Sequence, residues 1–449
     1  MEYILLLLLS ILFILFFFFL CLEGDIFAPT IIMCIMFFIS TFIAVLNGRE
    51  WKIDYCFEAY FLITTGIAIF GITEIIFKKY TKSVSRKIEN KIVLQDRSIK
   101  IQNWKIIFTV ILDFCILFLY YQGMKSVVAE SGYGLTNIQY NYRRITSYEA
   151  ADSMSMWILL ITKFLDASAY IFFYIFINNA IINRKLKKNI LLLVPVIIFC
   201  VKTLLSGGRQ DILKIIFFGL VVSYILYQQK KGWKLKVSFK YMFIGMLVFL
   251  IMIPLFYYAL ELTGRESSRT LFQVLSTYVG GSIQQFNQYV QSPVEKSHFF
   301  GNETLTPILN MLGKIGLIDY HNTVHLEFRR LGVTIGNVYT FFRRPLQDYG
   351  IGGMYIFTAM VSAFFSFEYH FKIRRMDTGY KQDIRNMIYA YLFYWIMLSS
   401  IEQYSMTMIS AYTVLAIMMI RLMSWFYFRV DIVGSKAYIK PVGRSNISC

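Results

Sequence analysis

The sequence predicts an all-α, polytopic membrane protein of about eleven spanning helices with one large helical loop on its outer side. Three observations predict it. Of 449 residues, 57% are hydrophobic and only 16% charged, whereas a soluble domain has about 45–50% and about 25%. Apolar runs recur that approach the roughly 20 residues needed to cross a bilayer as a helix. Lys and Arg fall in short blocks between those runs, as the positive-inside tendency requires of cytoplasmic loops. This composition excludes a soluble enzyme, a disordered chain and a disulfide-stapled secreted domain.

The first run, 3–22, has no basic leader and no small-residue cleavage site, and it is longer than a signal-peptide core, so it reads as a retained helix. The others lie near 27–46, 57–77, 106–124, 155–181, 189–206, 212–227, 241–261, 349–369, 387–402 and 406–426. Basic gaps at 78–105, 183–188, 228–240 and 370–386, with the tail after Ile420, hold 28 of the 45 Lys/Arg. Alternating helices place all five on one side, which orients the N-terminus outward and the C-terminus into the cytoplasm. The outside then receives 47–56, 125–154, a tight turn at 206–211 and the long segment 262–348. The chain divides accordingly into an N-terminal bundle (1–261), an outer loop (262–348), and C-terminal helices with a basic tail (349–449).

An 87-residue connection far exceeds the usual loop, so it is functional or disordered. Leu271, Leu275, Tyr278 and Val279 recur at helical spacing, as do Leu305, Ile308, Leu309 and Leu312, which predicts several short packed helices. No internal repeat is found, which weighs against inverted-repeat transporters. The net charge of +18 is spread over loops, with no basic helix clear of the membrane, so nucleic acid is not an expected partner. The six cysteines form no CxxC and indicate neither zinc nor a redox pair.

Arginines carry the chemical signal. "LLSGGRQD" sets Arg209 and Asp211 at a helix start, where free N–H groups favour an anion; a plain hairpin turn with an interfacial arginine fits equally. Arg143–Arg144, Arg329–Arg330 and Arg343–Arg344 are three further outer pairs. Guanidinium binds phosphate oxygens bidentately, so an anionic ligand such as a lipid diphosphate explains them, and so do phospholipid headgroups. His298, His321 and His325 share the large loop, whereas His370 ends a helix on the cytoplasmic side. His321 and His325 stand four apart, yet no third ligand follows with metal spacing, so no metal or other cofactor is expected. Within the spans, Asp113, Lys163, Asp166, Lys202 and Glu261 are costly and therefore informative; Lys163 and Asp166, three apart, are expected to pair.

The segments "DIFAPTIIMCIMFFISTFIAVLNGREWKID", "SGGRQDIL", "TYVGGSIQQFNQYV", "FGNETLTPILNMLGKIG" and "GNVYTFFRRPLQDYGIGGM" resemble the bacterial oligosaccharide repeat-unit polymerases, the Wzy or O-antigen polymerase family. They run from about residue 25 to 370 in the family's order. The resemblance implies a GT-C-like glycosyltransferase of the cytoplasmic membrane, active on its outer face. Its donor and acceptor would both be undecaprenyl-diphosphate-linked oligosaccharides, built into O-antigen, capsule or exopolysaccharide, with a chain-length regulator as a further partner. Arg143, Arg144, Arg209, Arg329, Arg330, Arg343 and Arg344 occupy the outer-loop positions that such enzymes use for their polyanionic lipids.

The chemistry asks for a base and for stabilisation of a leaving diphosphate, where fixed positive charge is often the main contribution. Candidate bases are His321 and His325, placed by Leu317, Tyr320, Val324 and Phe328 on a short amphipathic helix. Asp348 is the rival, or simply a salt-bridge partner of Arg344. Tyr278, Tyr320 and Tyr339 are candidates to stack on sugars, or belong to an interfacial aromatic belt. A ligase acting on lipid-linked glycan would share these features; a flippase would place its arginines within the membrane.

Overall fold

The computed structural model describes residues 1–85, 98–148, 154–183, 186–208, 210–233, 270–322, 325–374, 379–433 and 436–439. Eight of its helices are long and apolar enough to cross a membrane. They are α1 (Glu2–Cys21), α2 (Pro29–Leu46), α3 (Phe57–Ser85), α4 (Asn103–Glu130), α6 (Met156–Asn183), α8 (Gln210–Lys230), α12 (Arg343–Phe367, continued by a π-helical turn to Ile373) and α14 (Ala411–Arg429). The chain is thus a multi-pass, predominantly α-helical membrane protein. Between them lie α5 (Ile138–Tyr148), α7 (Val194–Leu205), the loop helices α9 (Leu271–Val279), α10 (Gly281–Gln291) and α11 (Thr306–Lys314), and α13 (Tyr380–Leu392).

Two expected spans are broken. The run 189–206 is split, because Pro195 near the start of α7 lacks the N–H that a continuous helix needs; a 3₁₀ stretch, Leu186–Leu193, precedes it. The run 387–402 breaks after α13 into the single turn Tyr394–Met397 and an irregular segment carrying Ser399, Ser400 and Glu402. The run 241–261, with Glu261, lies outside the described residues. The helix expected to open near 349 begins at Arg343, six residues earlier, inside the segment assigned to the outer loop. Two short hairpins, Arg329–Leu331 with Thr334–Gly336 and Val430–Val433 with Lys436–Ile439, add antiparallel strands to the expected all-α fold.

Helix faces follow the apolar spacing. Ile4, Leu7, Ile11 and Phe18 turn one stripe of α1 inward, while Leu9, Phe13, Phe16 and Leu20 stay exposed, as a lipid-facing surface requires. The core helix is α6, and charges meet in pairs on it and on its neighbours α7 and α8. Asp166 receives Lys163 at 2.8 Å and Lys202 at 2.5 Å, Asp211 receives Lys214 at 2.9 Å, and Ser168 donates to Asp113 at 2.7 Å.

Contacts between connections define two faces of the bundle. On one, Asp25 accepts from Tyr224 (2.6 Å) and Tyr369 (2.7 Å) and lies 3.6 Å from Arg374, and His370 meets Glu74 at 2.8 Å. There too Lys105 donates to the carbonyls of Phe426, Tyr427 and Val430, closing the C-terminus of α14. On the other face, Asn287 of α10 donates to the Asp54 carbonyl at 2.7 Å, and Phe341 N–H donates to the Ser399 carbonyl at 2.8 Å. The first face gathers Lys78, Lys105 and Arg374 from the basic connections; the second gathers the loop helices and is called the loop face below.

Candidate functional site

The site grows from the loop-face end of α12. Phe341 and Phe342 are buried in the bundle; Phe342 fills the space over Gly66 of α3, where an added Cβ would lie 2.4 Å from its ring. That anchor fixes the two residues that follow. At Gly350 the backbone leaves the helical region (φ 70°, ψ −171°), a conformation open essentially to glycine alone. The segment Arg343–Tyr349 is therefore a separate short turn, set at an angle on the spanning helix.

Arg343 is fully buried. It meets Glu303 Oε2 at 2.8 Å and Glu327 Oε2 at 3.1 Å, and its guanidinium lies 3.7 Å from the Tyr289 ring centroid. Arg344 meets Glu402 at 3.1 Å and donates to the Glu303 carbonyl at 3.2 Å. Buried guanidinium demands such partners, and they draw two loop segments, α10 and the broken 398–404 segment onto α12. Two carboxylates thus face Arg343, one of the arginines expected to meet a lipid diphosphate. Arg329 is likewise engaged, by the carbonyls of Gln288 (2.8 Å) and Ser292 (2.6 Å). Arg330 and Arg144 are exposed, with Arg144 over the Tyr133 ring at 5.3 Å, and Arg143 is half-buried. The Arg143 side chain packs on the turn at Gly207, where an added Cβ would lie 2.9 Å from it. Arg209 lies outside the described residues.

The histidine helix does not form. The Asn310 side chain donates to the Asn322 carbonyl (2.8 Å) and accepts from the Asn322 N–H (3.0 Å), which holds the non-helical segment 319–322 against α11, the local competition that such side chains offer to a helix. Residues 323–324 lie outside the described set. His321 is exposed, and His325 is half-buried. Burial first, then Arg143 and Arg344, holds the His325 imidazole below its ordinary value, while Glu402 pulls the other way.

Asp348 is not placed as a base. Its carboxylate accepts from Glu303 N–H, Thr304 N–H (2.8 Å) and Thr304 Oγ1 (2.7 Å), so it shapes the loop that carries Glu303. Nor does it pair with Arg344, whose carboxylate partner is Glu402. Tyr339 is fully buried, its hydroxyl on the Glu327 carbonyl, and has no ring face for a sugar. Tyr320 is 8% exposed and bonded to Asn302, whereas Tyr278 is half-buried. The open ring beside the site is Phe300, 76% exposed and tilted against Tyr349 at 4.8 Å.

The carboxylates Glu303, Glu327 and Glu402 do not stand out in the sequence. The one signal there is that buried arginine pairs need acids, and it does not say which. Burial pushes the Glu303 carboxyl up to about 7, against Arg343 and Arg344, with Asp348 and Glu327 adding to the rise. Glu327 behaves oppositely: burial would raise it, but Arg343 and its hydrogen bonds hold it below the usual range.

Comparison with protein-family models, curated proteins and solved structures finds no match.

Proposed function

We propose that this chain is an integral-membrane glycosyltransferase that joins oligosaccharides carried on undecaprenyl diphosphate, on the outer face of a bacterial cytoplasmic membrane. In this reading the loop face is outside, and the segments 189–206, 241–261 and 387–402 complete about eleven crossings in a GT-C-like arrangement. The observation that carries it is the loop-face end of α12, where Arg343 and Arg344 meet Glu303, Glu327 and Glu402, with the His325 imidazole held below its ordinary value first by burial and then by Arg143 and Arg344. Positive charge there suits a diphosphate held at the bilayer surface and stabilises it as a leaving group. Phe300 offers an apolar face to a sugar ring.

A second reading, a lipid-linked oligosaccharide flippase, draws on Lys163, Lys202 and Lys214 within the helices; Asp166 and Asp211 already neutralise much of that charge. Purified protein in liposomes, given synthetic lipid-linked repeat units, separates the two. Chain extension is expected from the wild type. Arg143→Ala should lower it at least about tenfold, chiefly through KM, and Arg143→Lys should restore part of it, since lysine keeps the charge without the fork. Translocation of a fluorescent lipid-linked oligosaccharide without any extension would replace the polymerase with the flippase.

A further inference from the structure

We propose that Glu303 is the general base that takes the proton from the acceptor hydroxyl, an assignment that rests on the glycosyl-transfer reading. Geometry separates it from Asp348 and Glu327, and the partners of its arginine separate it from Glu402. Glu303 Oε2 is fixed by Arg343 at 2.8 Å, and among the described residues nothing hydrogen-bonds Oε1. One oxygen holds the carboxylate in place and the other is open, and the side chain keeps 12% of its surface exposed. Both Asp348 oxygens accept bonds from the Glu303–Thr304 turn. Glu327 is spread over Arg343 and Arg329. Glu402 also leaves Oε2 unbonded among the described residues, its Oε1 shared by Arg344 and Gln403 N–H, but Arg343 keeps a second carboxylate, Glu327, when Glu303 takes a proton.

The position is also held from behind. Asp348 accepts the N–H groups of Glu303 and Thr304, and Arg344 donates to the Glu303 carbonyl. The loop bearing the carboxylate is thereby tied to the same α12 turn that carries Arg343 and Arg344. An acceptor hydroxyl reaching Oε1 would lie beside Arg343 and Arg344. In the step, Glu303 removes the hydroxyl proton as the acceptor oxygen forms its bond to the donor's anomeric carbon. The bond from that carbon to the diphosphate oxygen breaks, and the diphosphate leaves with the electron pair. The proton passes from Glu303 to water, so no oxidant or reductant is needed for balance.

A base is most effective with its affinity for protons near the working pH. Burial sets Glu303 at about 7. The groups facing it are Arg343, Arg344 and Asp348 from α12, Glu327 from the segment before the hairpin, Tyr289 from α10 and Tyr320 from the α11 connection. The carboxylate form increases as pH rises, so extension should rise through about pH 7 and level off above it.

The test uses the purified full chain in liposomes with synthetic undecaprenyl-diphosphate-linked repeats, measured across pH 5.5 to about 8.5. Glu303→Gln should lose about 10²–10⁴-fold in kcat, with KM changed far less and with wild-type abundance and elution. Glu303→Asp should retain part of the rate with its pH midpoint displaced. Wild-type extension that lacks a rise near pH 7, or Glu303→Gln that extends chains at the wild-type rate, overturns the assignment while leaving the transferase reading intact. A wild type that extends nothing overturns that reading, and this assignment falls with it.

Discussion

At the scale of single residues, the site is a compromise between charge and burial. Arg343 faces two carboxylates that differ in protonation because their surroundings differ: Glu303 is pushed up to about 7, while Glu327 is held low. The Glu303 shift has a sign for stability. A carboxyl raised in the folded state contributes stability that is fully present below its unfolded value of about 4.3 and is lost as pH rises through about 7. Glu303→Gln mimics the protonated form and leaves Glu327 to balance Arg343. Thermal unfolding in detergent should therefore show the variant equal to wild type near pH 5 and more stable near pH 8. A variant less stable at pH 8 would mean that the ion pair outweighs burial. The arginines of this site are legible in the sequence as pairs; their acid partners are not, since Glu303 stands 40 residues from Arg343 and Glu402 stands 58 from Arg344. Nothing local marks such long-range pairing.

Among the elements, the legible ones are those with one dominant force. A run of apolar residues long enough to cross a bilayer has few alternatives to a helix, and α1, α2, α3, α4, α6, α8, α12 and α14 all follow from it. Periodicity misleads at 317–328, where the apolar positions form no common stripe: Leu317 is 68% exposed and Phe328 53%, while Tyr320 is buried. The side-chain bonds of Asn310, Asn322 and Asn302 govern there instead. The bend in α12 belongs to this scale as well. Gly350 holds φ near 70°, and a Cβ there costs about 1–3 kcal/mol. Gly350→Ala should lower thermal stability accordingly, and it should cut extension more deeply than it lowers folded protein, because straightening the bend moves Arg344 and Asp348 together. Full activity with unaltered stability would show that the bend does not position the site.

For the whole molecule, charge and packing group the connections in the same way by independent routes. The three lysines that belong to neither set of connections, Lys163, Lys202 and Lys214, are found inside helices, and each is paired with Asp166 or Asp211. An unpaired ammonium in a span would cost several kcal/mol, so pairing lets these helices insert without displacing the basic blocks. The loop face instead buries Arg343 and Arg344 by folding Glu303, Glu327 and Glu402 onto them. Lys231 lies in the turn after α8, near Gln229, which donates to the Ile373 carbonyl at 3.2 Å. Lys296 follows Glu295, whose carbonyl receives Gln347 at 3.0 Å on the opposite face. Reporter fusions after these two lysines test the arrangement. A fluorescent protein should mature only after Lys231, and a phosphatase that requires export should be active only after Lys296. Both fusions reporting one side would show that the bundle is not crossed as the contacts require, and Glu303 with its arginines, Arg343 and Arg344, would then have no outer face on which to meet the lipid-linked sugar proposed above.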